Sequence, residues 1–496
     1  MYGKYLLGGT ALVGVVAWGV WWAQTPHASG PGAQALQTQI QAALGPAGPA
    51  VVVTPAFDHY VLKIDLARVL PAKTDAAPVP FAISAYELDL MPLGEGQWQV
   101  SSAPQDVTMQ TNMVIPGQPE GAVTDYVFKG VTFNGTYDET LRFMRGWQTA
   151  YASVNMRQVQ TLVSPRGQTN KMEVTAVLSD YRAQTQVSEG PNGLDLTGQA
   201  RVGSLSESFA MPSRSFGEPV PVVLEMAGLS GTTHIEGLRW NTLLPVLNKL
   251  QALYAEGKDL ESEQQALAAL MLPALPVLDQ AATKADFSTL SLKVQDTSVK
   301  ADSGTFEVEF STAGEGLREA FEVTGVSVPA GVVPDWATAL MPQTVRLDFG
   351  LEGFDLIGAA KLALEDLAAG GTGDVPNPQM GAAMLPDGTM TLRLNPSRVT
   401  GADYALNANV MAQVDVEKNA PQALEAVISL SGMDAILTAM QQGPADVQQG
   451  AMGLMAMRGL AKGAPDGSLK WDIGLGEDGV PTVNGMSMGA LGGMMP

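Results

Sequence analysis

The chain has 496 residues, with 28 Lys and Arg against 50 Asp and Glu and a formal net charge of −22. That acid excess repels phosphate backbones and argues against a nucleic-acid partner. Zero cysteines remove disulfides, thiolate nucleophiles, iron–sulfur clusters and thiolate zinc sites together, and a 46% hydrophobic content excludes a disordered chain.

After Lys4 comes an uncharged run, residues 5–23, that contains Leu6, Leu7, Leu12, Val13, Val16, Trp18, Trp21 and Trp22. As a helix rising ~1.5 Å per residue it matches a bilayer core of ~30 Å, with the Trp cluster at headgroup depth. No Lys or Arg follows until Lys63. The positive-inside rule therefore predicts a cytoplasmic N-terminus, a single pass through the membrane, and everything after about residue 25 outside the cytoplasm. The competing reading of residues 1–25 is a cleaved signal peptide, whose apolar region is ~7–15 residues long; the longer run and its bulky end favour a retained anchor. No four-residue glycine spacing argues for a helix dimer.

Leu36, Ile40 and Leu44 predict a short helix over 33–44, stopped by Gly45-Pro46. The period then changes to two: 59–69 and 81–90 alternate as half-buried strands do, and Gly94-Glu95-Gly96 predicts a hairpin turn before Trp98–Val100. Further strands are predicted at 125–133, 171–178, 193–202, 221–226, 290–294, 305–310, 344–351, 389–394, 404–414 and 423–430. Apolar helices are predicted at 240–254, 267–278 (interrupted by Pro273 and Pro276), 355–368, 434–442 and 445–462, the last with Asp446 in its first turn and Arg458 and Lys462 in its last, matching its dipole. Core packing against a sheet is the favoured role of these stripes.

Two blocks repeat at one offset of 79 residues. Leu351-Glu-Gly-Phe-Asp-Leu-Ile357 matches Leu430-Ser-Gly-Met-Asp-Ala-Ile436, and Pro386-Asp387-Gly388 with its following strand matches Pro465-Asp466-Gly467 with its own. The unit reads strand, Gly-apolar-Asp turn, helix, Pro-Asp-Gly turn, strand. Gly353 and Gly432 tolerate positive φ, Asp355 and Asp434 are placed to cap helices, and Pro-Asp-Gly pre-sets a turn. Weaker copies are read at Ile235–Leu238 before the Trp240 helix and at Asn134–Asp138 before a segment over 141–147. The expected class is α+β and β-rich: long curved antiparallel sheets built from these repeats, apolar helices on one face, and one N-terminal transmembrane helix. The expected regions are 1–25, 33–234 and 235–496, the last in units of about 235–320, 344–400 and 423–485.

Val333-Pro-Asp-Trp336, Leu340-Met-Pro342, the strand 469–473 and the closing Asp478–Gly485 together resemble the domain-of-unknown-function 2125 family of alphaproteobacterial envelope proteins. The closing hairpin with its Asn484-Gly485 turn also resembles, distantly, AsmA-like periplasmic proteins. The first resemblance implies an envelope protein, tethered to a bacterial inner membrane by the N-terminal helix with its body in the periplasm, and carries no catalytic residues over; the second implies long curved sheets that handle lipid.

Chemistry-bearing motifs are sparse. His27, His59 and His234 are far apart, and no H-E-x-x-H occurs. Gly485-Met-Ser-Met-Gly489 spells a nucleophile elbow but has no His after it. Gly474–Gly479 spells G-x-G-x-x-G but joins two predicted strands and carries Glu477 and Asp478 where a pyrophosphate would sit. Met452, Met455, Met457, Met486, Met488, Met494 and Met495 crowd the end; thioethers hold Cu(I), but adaptable apolar packing is favoured. The expectation is a protein without cofactor or metal, not an enzyme, that binds lipid or another envelope component. The alternative is an envelope scaffold that engages protein partners through its acidic surface.

Overall fold

The computed structural model describes residues 28–488 except 66–80, 114–121, 164–168, 212–218, 257, 259, 313–315, 374–376, 417, 419 and 477–478. The expected anchor, from Leu6 to Trp22, and His27 lie outside the described residues. Among the described residues no helix is long and apolar enough to cross a membrane. The chain is β-rich and antiparallel, with eight α-helices among the described residues, and divides into two compact units, Met1–Val277 and Leu278–Pro496.

In the first unit, helix α1 (Gly30–Leu44) starts where Ser29 accepts the Gly32 amide at 3.1 Å. Its Ala33, Leu36, Ile40 and Leu44 fall three and four residues apart and are at most 2% exposed. They close a core over alternating residues of β1 (Val51–Pro55), β2 (Tyr60–Ile64), β4 (Tyr86–Gly94) and β5 (Gln97–Ser101), including Tyr60, Leu62, Leu88, Leu90, Trp98 and Val100. Among the described strands, β1 pairs only with β2. Its other edge is covered by α1, where Gln37 Oε1 accepts the Val53 amide and Gln41 Nε2 donates to the Val51 carbonyl, both at 2.9 Å.

The expected strand 81–90 is broken at Ser84. Phe81–Ile83 (β3) pairs with β6 (Gln105–Met113), whereas β4 pairs with β2, so the chain changes partners there. Of the expected strand 59–69, Tyr60–Ile64 forms β2, and residues 66–69 lie outside the described residues. Then come five long strands in sequential antiparallel order: β7 (Ala122–Asp138), β8 (Phe143–Val163), β9 (Thr169–Glu189), β10 (Leu194–Met211) and β11 (Val220–Leu238). Twenty-one residues of strand, as in β8 and β9, extend about 70 Å at ~3.3 Å per residue.

No helix forms over 141–147. Asp138 accepts the amides of Thr140 and Leu141 at 2.8 and 3.0 Å, Arg142 takes φ +51°, and the chain reverses directly into β8. Burial acts to raise the Asp138 pKa, but the Leu141 amide, the Arg145 guanidinium at 2.6 Å and the Thr140 amide outweigh it and hold the carboxyl below its ordinary range. After β11 follow α2 (Trp240–Glu256) and α3 (Gln264–Met271), the latter ended by a short 3-10 turn through Pro273.

In the second unit the strands run β12 (Gln280–Phe287), β15 (Ser303–Ser311), β16 (Gly316–Thr324), β17 (Thr344–Glu352), β18 (Thr389–Thr400), β19 (Ala405–Asp415), β20 (Ala420–Ser431), β22 (Leu469–Leu475), β23 (Pro481–Val483) and β24 (Met486–Ser487), each antiparallel to the next. The hairpin β13 (Thr289–Val294) and β14 (Thr297–Ala301) is inserted between β12 and β15; β21 (Lys462–Gly463) pairs with β22, so Lys462 lies in a strand and not in a last helical turn. A short α4 (Asp335–Thr338) precedes β17.

The 79-residue repeat takes matching form. Between β17 and β18 stand α5 (Leu356–Ala368) and α6 (Asn377–Met384); between β20 and β22 stand α7 (Met433–Gln441) and α8 (Ala445–Leu460). Each copy is thus a helical hairpin set between two paired strands. Gly353 and Gly432 have φ +86° and +73°, and Gly388 and Gly467 have φ +66° and +83°. The two copies differ at the cap. Asp355 accepts the Gly358 amide at 2.7 Å, whereas Gly432 is itself the N-cap of α7 and Asp434, inside the first turn, pairs with Arg458. Helices α7 and α8 bury Met433, Leu437 and Ala451 against Leu430, Trp471 and Val483, and Trp471 Nε1 donates to the Met457 carbonyl at 2.9 Å.

Candidate functional site: open apolar sheet faces

Antiparallel register places side chains in rows across each sheet. In the first unit one row reads Phe128, Val154, Leu178, Leu205, Met226; the next reads Tyr126, Met156, Ala176, Glu207, Leu224; a third reads Thr124, Gln158, Val174, Phe209, Val222. The reverse face carries Asp125, Arg157, Thr175 and Ser208 in one row, with Arg157 paired to Glu173 at 2.7 Å. The sheet is therefore amphipathic; beyond Phe128 its apolar side joins none of the buried clusters of described residues, although Thr124 and Val222 at its end are themselves buried.

One row interrupts the pleat. Gly130, Ala152, Asp180, Gly203 and Gly228 stand opposite one another in β7 to β11, and Gly130, Asp180 and Gly228 take φ +62°, +51° and +59°. Left-handed backbone inside a strand reverses which side the next residue faces. The aromatic side chains bear this out. Tyr151 lies three residues from Val154, the partner of Phe128, yet its ring meets Phe128 edge-on at 6.0 Å and stacks on Tyr181 at 4.3 Å. The apolar surface thus continues across the interruption, through Val131 and Phe133, into the core closed by α1. Burial, and then the neighbouring Tyr181, raises the Tyr151 hydroxyl above its ordinary pKa, so both stacked rings stay neutral.

The second unit shows the same division more sharply. One face bears Phe306, Val308 and Phe310 on β15, Leu317 and Phe321 on β16, Phe349 and Leu351 on β17, and Leu392 and Leu394 on β18. The other bears Glu307, Glu309, Arg318, Arg346, Asp348, Glu352 and Arg393. On the charged face Asp348 is 4% exposed; on the apolar face Phe306, Leu317, Phe349 and Leu392 are 43%, 39%, 46% and 44% exposed. Asp348 accepts two guanidinium bonds from Arg318, at 3.0 and 2.7 Å, and one from Asn395 at 2.8 Å, while the Ser397 hydroxyl accepts its backbone amide at 3.1 Å. Burial acts to raise this carboxyl, but Arg318 and then Asn395 outweigh it and hold it below its ordinary range. Ion pairs close the polar side, and the apolar side faces solvent. Each apolar face also carries one carboxylate, Glu207 and Glu319, without a partner among the described residues.

The other expected site residues stand apart from these faces. His59, expected in a strand, lies in the bend just before β2 and contacts Asp58 and Asp89, whereas His234, on β11, contacts Glu236 and Thr197. Among the described residues no group of three or more His, Asp or Glu side chains is placed to share a metal ion. Ser487 lies in β24 opposite Thr482, and Gly474–Gly479 leads from β22 into β23. Of the methionines, Met457 and Met488 pack on the α7–α8 core, whereas Met452, Met455 and Met486 are exposed. Gly353, Asp355, Gly432, Pro386, Asp387, Gly388, Pro465, Asp466 and Gly467 lie at the turns and helix starts of the repeat, whereas Asp434, expected to cap, sits inside α7 and pairs with Arg458. Alternation alone revealed strands but not the open faces, because an exposed Phe349 and a buried one read identically in sequence. No family model, no curated protein and no solved structure matches the chain.

Proposed function

We propose that this chain is a non-enzymatic binding protein of the bacterial cell envelope that holds an acyl-chain lipid along its apolar sheet faces. The exposure of Phe306, Leu317, Phe349 and Leu392 beside a buried Asp348 carries this reading. A water-soluble sheet ordinarily hides such residues, and an open patch of this kind marks a binding surface. A stretched acyl chain suits the shape, since a row of side chains crosses a strand about every 4.8 Å and gives one continuous track. Each methylene moved fully from water gains ~0.8 kcal/mol, so a face that shields one side of about ten methylenes gains on the order of 4 kcal/mol. Glu207 and Glu319 disfavour an anionic group laid beside them and so favour neutral lipid on these faces. The apolar run of residues 5–23 has the length of a membrane span and supports the same reading.

The test uses the delipidated full-length protein and a fluorescent neutral diacylglycerol. Saturable uptake is expected, and Phe306→Glu with Phe349→Glu together lower its affinity at least about tenfold, or about 1.4 kcal/mol. Wild-type protein that takes up no probe, or a double variant that binds as well as wild type, overturns the proposal.

A further inference from the structure

On the polar face of the second unit a single row crosses six strands: Glu322, Arg346, Arg398, Asn407, Ser429 and Lys470. It places two guanidinium side chains, Arg346 and Arg398, directly opposite one another on β17 and β18. Like charges in that position are destabilising unless something negative lies between them. Elsewhere on these strands the rule is opposite charge: Arg318 is held by Asp348 and Glu307, and Arg393 by Glu352 at 2.8 Å. Arg346 has a half-exposed contact with Glu322 at 3.6 Å and feels the charge of Asp348, a carboxylate already hydrogen-bonded to Arg318 and Asn395, while Arg398 is exposed with no ion-pair partner among the described residues. In a chain with 22 more acids than bases, scarcity of carboxylates does not account for that.

The pair lines a groove of about 460 Å³ whose walls also carry Asn407, Asn409 and Ser429. The pairing register shifts between Leu394 and Ser397, around Pro396, beside the groove. Asn407 Nδ2 donates to the Ser429 oxygen at 3.4 Å, which leaves the Ser429 hydroxyl proton free to donate. One carboxylate, Asp348, reaches the lining, and its oxygens are engaged by Arg318 and Asn395. The groove therefore offers two planar guanidinium forks, two side-chain amides and a hydroxyl, with its single acid already neutralised.

We propose that Arg346 and Arg398, aided by Asn407 and Ser429, bind a phosphate group. Guanidinium forks match phosphate oxygens two at a time, and a dianion between them turns a repulsive pair into an attractive one. The group reaches the groove either as a soluble phosphate ester or as a phospholipid headgroup. The site lies on the face opposite the proposed lipid track and stands or falls independently of it.

Isothermal titration of the full-length protein in neutral detergent with inorganic phosphate, at constant ionic strength, tests the site. Saturable binding is expected. Arg398→Gln weakens it about tenfold, or about 1.4 kcal/mol. Arg182→Gln is the control, because Arg182 also stands opposite an arginine, Arg201, but between Ala150 and Ser230 on the flanking strands; its affinity stays within about twofold of wild type, the range of a non-specific charge effect. Two further titrations separate the sources. Dihexanoylphosphatidylglycerol binding tighter than glycerol 3-phosphate, and weakened by Arg398→Gln, identifies a headgroup; the reverse order identifies a soluble ester. Absence of saturable phosphate binding, or equal losses in the two arginine variants, overturns the proposal.

Discussion

The sheet corner under α1 and the open face of β15 to β18 are written in the same alternating code, yet only the first is closed. Leu36 and Ile40 meet Leu88, Leu90 and Trp98 because α1 leads straight into β1 and folds back over it, its two glutamines satisfying the strand edge. On β15 to β18 the intervening helical hairpin, α5 and α6, is inserted between two strands, and Phe306 and Phe349 remain exposed. Helices α7 and α8 occupy the equivalent insertion and do bury a core, on Leu430 and Trp471. What a helix covers depends on its own apolar stripe as well as on where it enters the chain.

The contrast can be broken by truncation on each side. Leu36→Ala removes a fully buried side chain and costs about 3 kcal/mol in urea unfolding of the first unit. Phe349→Ser, on the open face, costs no more than about 0.5 kcal/mol. A large loss at Phe349 shows instead that the face is packed shut.

A smaller effect separates two glycines of the repeat. Gly432 has φ +73° and an added Cβ would run into the Asp403 carbonyl, so Gly432→Ala costs about 2 kcal/mol in thermal or urea melts. At Gly388, φ +66° with open space around it, the alanine costs about 1 kcal/mol. Equal costs mean that backbone handedness alone decides, without the close approach.

The smallest expected effect is electrostatic. Asp348 has its carboxyl pKa held low in the folded state, so its pairing stabilises the protein above the ordinary carboxylate pKa of about 4. That contribution fades as pH falls from there through the lower folded value. Melting temperature therefore drops below about pH 4, and the drop is shallower in Asp348→Asn, whose side chain does not titrate there. The exposed Phe349 side has no such dependence.

Much of the architecture was legible in the sequence. The 79-residue offset located the four turns of the two copies, because left-handed glycines and Pro-Asp-Gly are requirements of local backbone, but the unit was read with one helix and α6 (Asn377–Met384) went unread. The long strands were underestimated for a related reason. Predicted strands stopped at Leu178, Val202 and Met226, just short of Asp180, Gly203 and Gly228, residues that normally end a strand. Strand β8, with its Gln, Ser and Asn, went unread although it pairs with β7 on one side, with one register shift at Thr136–Tyr137, and with β9 on the other. The arginine pair was equally hidden, since Arg346 and Arg398 are 52 residues apart and meet only through strand pairing.

Sequence alone determined where the chain turns and which residues alternate, because φ preference and side-chain periodicity are properties of a few neighbouring residues. Tertiary structure decided that Gly130, Asp180 and Gly228 line up in one row, that Asp348 is buried while Phe349 is not, and that two arginines face each other. Those outcomes depend on register between distant strands and on which faces the helices cover, quantities that no local stretch of chain contains.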